Sequence, residues 1–105
     1  MKVLFDVNTP HPLRRHLTEH EVTFAQDLGW SGLRNGDLIR AAEGRFDVLL
    51  TADQNLRYQQ SLRGRTLAIV VLPTNRLREV LRYVEDIRTA LVKLTRGGFV
   101  EIPRK

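Results

Sequence analysis

The sequence contains no cysteine, and this absence excludes disulfide bonds, thiolate nucleophiles and cysteine-ligated zinc sites. Proteins of the reducing cytosol need no disulfides, so the expected compartment is the cytoplasm. The chain also lacks an apolar run near the roughly 20 residues that cross a bilayer, and its first residues enter a predicted strand instead of a signal-peptide pattern. We therefore expect a cytoplasmic protein with no membrane partner.

Acidic residues are in the minority, with 12 Asp and Glu against 17 Lys and Arg, which gives a formal net charge of +5. Most of the cations are arginines, whose planar guanidinium suits bidentate contacts with phosphates. This charge favours a polyanionic partner but does not establish one, because many basic domains bind no nucleic acid. The 105 residues are enough for one hydrophobic core, so one domain over 1–105 is expected.

Apolar segments alternate with helical patterns along the chain. The predicted strands span 2–6, 21–25, 47–51, 66–72 and 99–102. The predicted helices are a short one after Pro10, and those over 36–43, 55–61 and 75–95. Apolar residues recur at helical spacing along the last helix and are predicted to form one stripe that faces the core: Leu77, Val80, Leu81, Val84, Ile87, Leu91 and Leu94. Asn35 is the expected N-cap of the helix over 36–43. This alternation predicts an α/β fold, with a mostly parallel five-stranded sheet flanked by helices in three Rossmann-like layers and the strand order 2-1-3-4-5.

Two aspartates follow neighbouring strands of this predicted sheet. Asp6 ends the first apolar strand and Asp53 lies just after the third. The chain reverses direction across the sheet between these strands, and such a switch point binds ligands at the carboxyl ends. Carboxylates gathered there suit Mg²⁺ or Mn²⁺, and a metal could activate water against a phosphodiester. The structural alternatives are an Asx-type turn for Asp6 and an N-cap for Asp53.

Other polar residues near these motifs have two interpretations each. Asp37 is a candidate third acid, or a first-turn carboxylate that only complements the helix dipole. Asn8 and Asn55 would tune the site or shape turns. Thr51 would hydrogen-bond a carboxylate or a water, or simply pack in its strand.

Arginines near the two motifs are candidate phosphate ligands. Arg14 and Arg15 follow the first motif and Arg57 follows the second. Each is alternatively a solvated surface charge. The three histidines lack a zinc-binding pattern and are interpreted as surface residues.

Three segments resemble a known family: Leu4-Phe5-Asp6-Val7-Asn8-Thr9-Pro10, Asn35-Gly36-Asp37-Leu38-Ile39 and Leu49-Leu50-Thr51-Ala52-Asp53-Gln54-Asn55-Leu56. Their order and spacing are similar to those of the small PIN-like family related to VapC-type toxins and to the Mut7-C domain. The resemblance covers nearly the whole chain. The sequence departs from the family at Val7 and Thr9, where the family usually has Glu and Leu.

The resemblance implies a Mg²⁺- or Mn²⁺-dependent ribonuclease with Asp6, Asp37 and Asp53 as its catalytic and metal-binding acids. It also implies RNA as substrate and an antitoxin protein as partner, and a second copy of the chain is the alternative partner. Trp30 lies in a Gly-rich loop, so it is the best-placed large aromatic residue to anchor such a complex, or else it packs against the core. Two alternatives stay open. The absence of Glu at position 7 favours a catalytically inactive PIN-like module that binds RNA or a protein. A phospho-acceptor receiver domain shares the strand order, but such a domain has a pair of acids after its first strand.

Overall fold

Five short strands form one sheet in the order β2-β1-β3-β4-β5, and every neighbouring pair is parallel. This arrangement confirms the predicted fold class and strand order. The strands are β1 (Lys2–Phe5), β2 (Glu21–Phe24), β3 (Val48–Thr51), β4 (Ala68–Val71) and β5 (Phe99–Glu101). The structure, a computed structural model, describes residues 1–58 and 64–105 of the chain.

Short helices connect these strands. The α-helices of the described residues are α1 (Asn35–Ala42), α2 (Leu77–Val80) and α3 (Val84–Lys93). The 3₁₀ helices are His11–His16, Ala25–Leu28, Gln54–Tyr58 and Leu81–Tyr83. Within residues 1–58 and 64–105, no helix has the length and apolar character needed to span a membrane.

The hydrophobic core lies on both faces of the sheet. Successive side chains of a strand alternate between faces, so Leu4 and Leu49 pack on the side of α1, while Phe5 and Leu50 pack on the side of α3. Strands β3 and β4 are buried along their whole length, as expected for parallel strands that are covered on both faces. The result is a three-layer α/β domain.

The helix predicted over 75–95 is divided. A 3₁₀ turn over Leu81–Tyr83 separates α2 from α3. A 3₁₀ helix has about 3.0 residues per turn, whereas an α-helix has about 3.6. The apolar residues before and after this 3₁₀ turn therefore no longer lie on one continuous face. Leu77 and Leu81, which were predicted to face the core, are 37% and 40% exposed, whereas Ile87 and Leu91 are buried as predicted.

Two further helix predictions need correction. Arg34 occupies the N-cap position of α1 and Asn35 is its first residue, so the prediction that Asn35 caps the helix was wrong. The helix predicted over 55–61 is a 3₁₀ helix, Gln54–Tyr58, and the rest of that range lies outside the described residues. The first 3₁₀ helix, His11–His16, lies where a helix was predicted after Pro10, and its Leu13 is buried.

Gly97 permits a close backbone approach before β5. Its φ is +72°, and a Cβ built there would lie 2.3 Å from the carbonyl oxygen of Arg65. The Gly97 amide donates to the carbonyl of Thr66 at 3.0 Å. The last strand is therefore joined to the segment before β4 by direct contact of two backbones.

Candidate active site

Asp6 lies one residue beyond β1 and is 4% exposed. Its Oδ1 accepts the backbone amide of Asn8 at 3.1 Å and lies 2.7 Å from the hydroxyl of Thr9. Its Oδ2 accepts a hydrogen bond from the hydroxyl of Thr51. The first motif therefore forms the Asx-type turn that was one of the two interpretations of Asp6.

Thr51, the last residue of β3, connects the two motifs. The register pairs Phe5 with Leu50, so Asp6 and Thr51 follow side by side at the carboxyl edge of the sheet. The Thr51 hydroxyl donates to Asp6 and accepts the backbone amide of Asp53 at 3.1 Å. Thr51 is fully buried. Its hydrogen bond to the Asp6 carboxylate is one of the roles that were predicted for it.

Asp53 is half-buried and has a different set of partners. Its Oδ1 accepts the backbone amide of Asn55 at 2.9 Å, and its backbone carbonyl accepts the amide of Leu56 at 3.2 Å. These bonds start the 3₁₀ helix Gln54–Tyr58, as the N-cap interpretation predicts. Its Oδ2 accepts the side-chain amide of Asn35.

Sequence reasoning did not find Asn35 as a site residue. The side chain that was expected to cap α1 reaches across to Asp53, so it joins α1 to the loop after β3. The signal was present in the Asn35-Gly36-Asp37 segment of the family resemblance. Local capping rules nevertheless assign an Asn at a helix start to the helix itself, because they contain no tertiary contacts.

Asp37 points to another partner. Its side chain is exposed and forms an ion pair with Arg40, three residues further along α1. Among residues 1–58 and 64–105, no three His, Cys, Asp or Glu side chains are grouped so that they could hold a metal. The described geometry thus brings Asp6 and Asp53 to one edge, while Asp37 is engaged on its own helix.

The remaining predicted residues lie around this edge. Asn8 and Asn55 contribute backbone amides, and both residues are exposed. Val7, where the family usually has Glu, is 45% exposed. The side chain of Arg57 lies outside the part of the chain that the structure describes.

An open cavity of about 590 Å³ lies beside Asp53, lined by Arg34, Asn35, Gly36, Asp53 and Asn55. Arg34 therefore shares this cavity with Asp53, and it was not among the predicted phosphate ligands. Arg14 and Arg15 are exposed, but they line a separate groove next to β2. Cationic and anionic side chains thus meet in the Asp53 cavity.

Trp30 is partly buried against the α1 side of the core. Its ring makes an edge contact with Phe46 at 6.2 Å, and the guanidinium of Arg45 lies 4.9 Å from its centroid. The side chain is therefore held within the chain on one side while part of it stays exposed.

The donor set at the edge fits a divalent cation of one kind. Mg²⁺ is commonly held by one or two carboxylates and keeps several water ligands. Asp6 and Asp53 offer that number of carboxylates, and the Thr51 hydroxyl links the Asp6 carboxylate to the backbone amide of Asp53. A site that requires three preformed acids is not found in the described residues.

Comparison of the chain with protein-family models, with curated proteins and with solved structures found no match. The functional argument therefore depends on the residues and on the geometry described above.

Proposed function

We propose that this chain is a PIN-like, metal-dependent ribonuclease whose acidic centre is formed by Asp6 and Asp53. The observation that supports the proposal best is the linkage of these residues through Thr51 at the switch point between β1 and β3. Open α/β sheets bind ligands at this position. If each aspartate only closed its own turn, the Thr51 hydroxyl would not need to bond both the Asp6 carboxylate and the backbone amide of Asp53.

The charges of the site explain why a cation would be needed. RNA carries one negative charge per phosphate, and the half-buried Asp53 carboxylate would repel it. Asp6 and Asp53 would hold a Mg²⁺ or Mn²⁺ ion, which supplies a Lewis acid and a more acidic bound water. Thr51 orients Asp6, and Asn35 orients Asp53, so each carboxylate keeps one position. Arg34, on the wall of the same cavity, would bind a phosphate of the substrate.

Asp37 enters this proposal as a third acid only when its ion pair with Arg40 opens. Arg40→Ala removes the pair without touching Asp6 or Asp53. If Asp37 contributes to cleavage, Arg40→Ala keeps or raises the rate and Asp37→Asn lowers it. If Asp37 only serves α1, both changes leave the rate unaltered.

The direct test is cleavage of single-stranded RNA by the purified chain, with Mg²⁺ or Mn²⁺ and with chelator. We expect cleavage that needs the metal and is lost in both Asp6→Asn and Asp53→Asn. Asp27→Asn is the matched control, because Asp27 is an exposed acid on the 3₁₀ helix Ala25–Leu28 and contributes nothing to the edge. Equal cleavage in chelator, or in Asp53→Asn, would contradict the proposal.

A second candidate is a PIN-like module that binds RNA or a protein without cutting. The saturation of Asp6 by three donors within a buried turn favours it, as does the Asp37–Arg40 pair. Metal-dependent stabilisation separates the two functions. A ribonuclease should gain melting temperature with Mn²⁺ by mass action, and Asp53→Asn should lose much of that gain. RNA binding without any gain from metal would support the second candidate.

An antitoxin or a second copy of the chain remains the proposed protein partner, with Trp30 as its anchor. Partly exposed aromatic residues are favoured at the centres of interfaces. Burial of Trp30 in a complex, seen as a blue shift of its fluorescence, is the expected sign. It is the only tryptophan of the chain, so the signal is unambiguous.

A further inference from the structure

A second concave surface lies beside the edge strand β2, and the acidic centre does not use it. This groove has a volume of about 540 Å³ and lies between the 3₁₀ helix His11–His16 and β2. Its lining includes the side chains of His11, Arg14, Arg15 and His20, with no carboxylate among the lining residues. We name it the β2 groove.

An aromatic ring positions two of these side chains. His11 stacks on Phe24 with ring centroids 3.9 Å apart and an interplanar angle of 8°. The guanidinium of Arg14 lies 5.7 Å from the centroid of the same ring. Phe24 is held in turn by Phe5 of the core, at 5.7 Å. Phe24 therefore places an imidazole and a guanidinium side by side before any ligand arrives.

The positive charge of the groove is not neutralised within the described chain. Neither Arg14 nor Arg15 is within 4.0 Å of a carboxylate of residues 1–58 or 64–105. Glu19 contacts one lining residue of the groove, because its Oε1 lies 4.0 Å from Nε2 of His20, and it also lies 3.4 Å from Nε of Arg88. Glu19 faces the cavity at the opposite edge of the sheet. Two arginines that have no carboxylate partner in the described residues lie next to a stacked histidine, and this surface suits an external anion.

The position of the groove relates it to the acidic centre. Phe24 pairs with Phe5 in the parallel register, so the groove begins at the carboxyl end of β2, next to the strand that ends in Asp6. A flexible polyanion that crosses the carboxyl ends of the strands past Asp6 would next reach the β2 groove, because β2 is the neighbour of β1. Single-stranded RNA fits this path better than a folded acidic protein, because its phosphates recur along a thin chain.

We infer that the β2 groove binds the phosphate backbone of single-stranded RNA through Arg14, Arg15 and His11. The inference depends on the proposed function only for the identity of the polyanion. Arginines supply bidentate contacts to phosphate oxygens. The imidazole on Phe24, whose Nε2 contacts the side-chain amide of Gln26, would face the phosphate with its other ring nitrogen. The groove thus holds RNA outside the cleavage site and needs no metal to do so.

The test uses binding, so that it stays independent of cleavage. The full chain carrying Asp53→Asn is titrated with a fluorescent single-stranded oligouridylate in chelator, across a salt series. Arg14→Ala with Arg15→Ala should make the log–log salt dependence shallower by about 1.4, at about 0.7 for each lost phosphate contact. Arg14→Lys with Arg15→Lys should keep most of the slope but weaken the affinity.

The matched control removes the same charge elsewhere. Arg78 and Arg82 are exposed and have no carboxylate partner in the described residues, but they do not line the groove. Arg78→Ala with Arg82→Ala should leave the slope almost unchanged. An equal loss in both double variants would overturn the inference, because it would indicate attraction by net charge alone.

Histidine resonances supply a measurement that needs no variant in the groove. The imidazole signals of His11 and His20 should shift when the oligouridylate is added, whereas His16, exposed on the same 3₁₀ helix and outside the groove, should not. Shifts confined to His16, or none, would contradict the inference. Polyglutamate that binds as tightly as the oligouridylate would overturn RNA as the occupant and indicate an acidic polypeptide instead.

Discussion

The loops after β1 and after β3 contain the same aspartate turn, but the two aspartate carboxylates have different surroundings. In each, an aspartate Oδ1 accepts the amide of the asparagine two residues later, at 3.1 Å for Asp6 and 2.9 Å for Asp53. Asp6 then takes two buried hydroxyls, from Thr9 and Thr51. Asp53 takes one side-chain amide and faces an open cavity. One sequence pattern, Asp-x-Asn, therefore produces a buried carboxylate that bonds two hydroxyls and a half-buried carboxylate that borders an open cavity.

Truncation of each aspartate should give the largest difference between the two loops. Asp6→Ala leaves the Thr51 hydroxyl and the Asn8 amide without an acceptor, whereas the Thr9 hydroxyl keeps the carbonyl of Leu50 at 2.9 Å. We therefore expect a loss of about 3 kcal/mol in the free energy of unfolding. Asp53→Ala removes a half-buried cap, for which about 1 kcal/mol is expected. Urea denaturation of both variants measures the difference. A greater loss in Asp53→Ala would reverse the roles assigned here.

Removal of the Thr51 hydroxyl tests whether the loops are coupled. Thr51→Val keeps the shape of the side chain but deprives the Asp6 carboxylate of a donor and the Asp53 amide of an acceptor. The expected cost is about 1–2 kcal/mol. Thr23→Val is the control, because Thr23 is a half-buried strand threonine without a side-chain hydrogen bond in the described residues. Coupling further requires that Asp6→Ala costs less in the Thr51→Val background than alone, because each change removes the hydrogen bond between Thr51 and Asp6. Strict additivity would argue against it.

A second carboxylate with several donors, Glu43, sharpens the comparison because it lies away from the switch point. It accepts the hydroxyl of Thr66 and the amides of Thr66 and Leu67, so it joins the end of α1 to the segment before β4. The Thr66 hydroxyl, followed by the two amides and the charge of Arg65, holds the pKa of Glu43 below its ordinary value, against the opposing effect of burial. Saturation by donors is therefore not by itself a sign of a functional site.

The lowered pKa of Glu43 gives the smallest expected effect. The folded chain binds fewer protons at Glu43 than the unfolded chain, so this contribution is present above the ordinary pKa of 4.5 and is lost as the pH falls below it. In Glu43→Gln the free energy of unfolding should fall less as the pH drops below 4.5, and the difference from the unchanged chain should be less than about 1 kcal/mol. Glu85→Gln, at a side chain that is 87% exposed, should leave the pH profile unchanged. The two urea–pH series should diverge only in that acidic range.

The fold could be predicted from the sequence because its signals are strong and local. Continuous apolar runs such as Val48–Leu50 belong to strands that are covered on both faces. Their alternation with helices restricts the topology to a few right-handed arrangements. The switch point, and with it the nearness of Asp6 and Asp53, follows from that order without knowledge of any side-chain contact.

The details that were missed depend on tertiary packing. The side chain of Asn35 bonds to Asp53 because the folded sheet brings that carboxylate within reach, and no local rule contains this alternative. The 3₁₀ turn at Leu81–Tyr83 has no glycine or proline to announce it. The pairing of Asp37 with Arg40 fits the usual spacing on a helix, but the sequence also allowed Asp37 to join the acidic edge.

The contact between Gly97 and Arg65 restricts how this sequence could diverge. The atom that a new Cβ would meet is a backbone carbonyl, so no change in a neighbouring side chain could make room for it. Gly32 is the opposite case, because nothing lies within 4 Å of its Cβ position and its φ is not in the left-handed region. In a library of every single substitution, position 97 should retain glycine alone, while position 32 accepts most residues. Distant descendants of this chain would be traced more reliably by that glycine than by the charges on its surface.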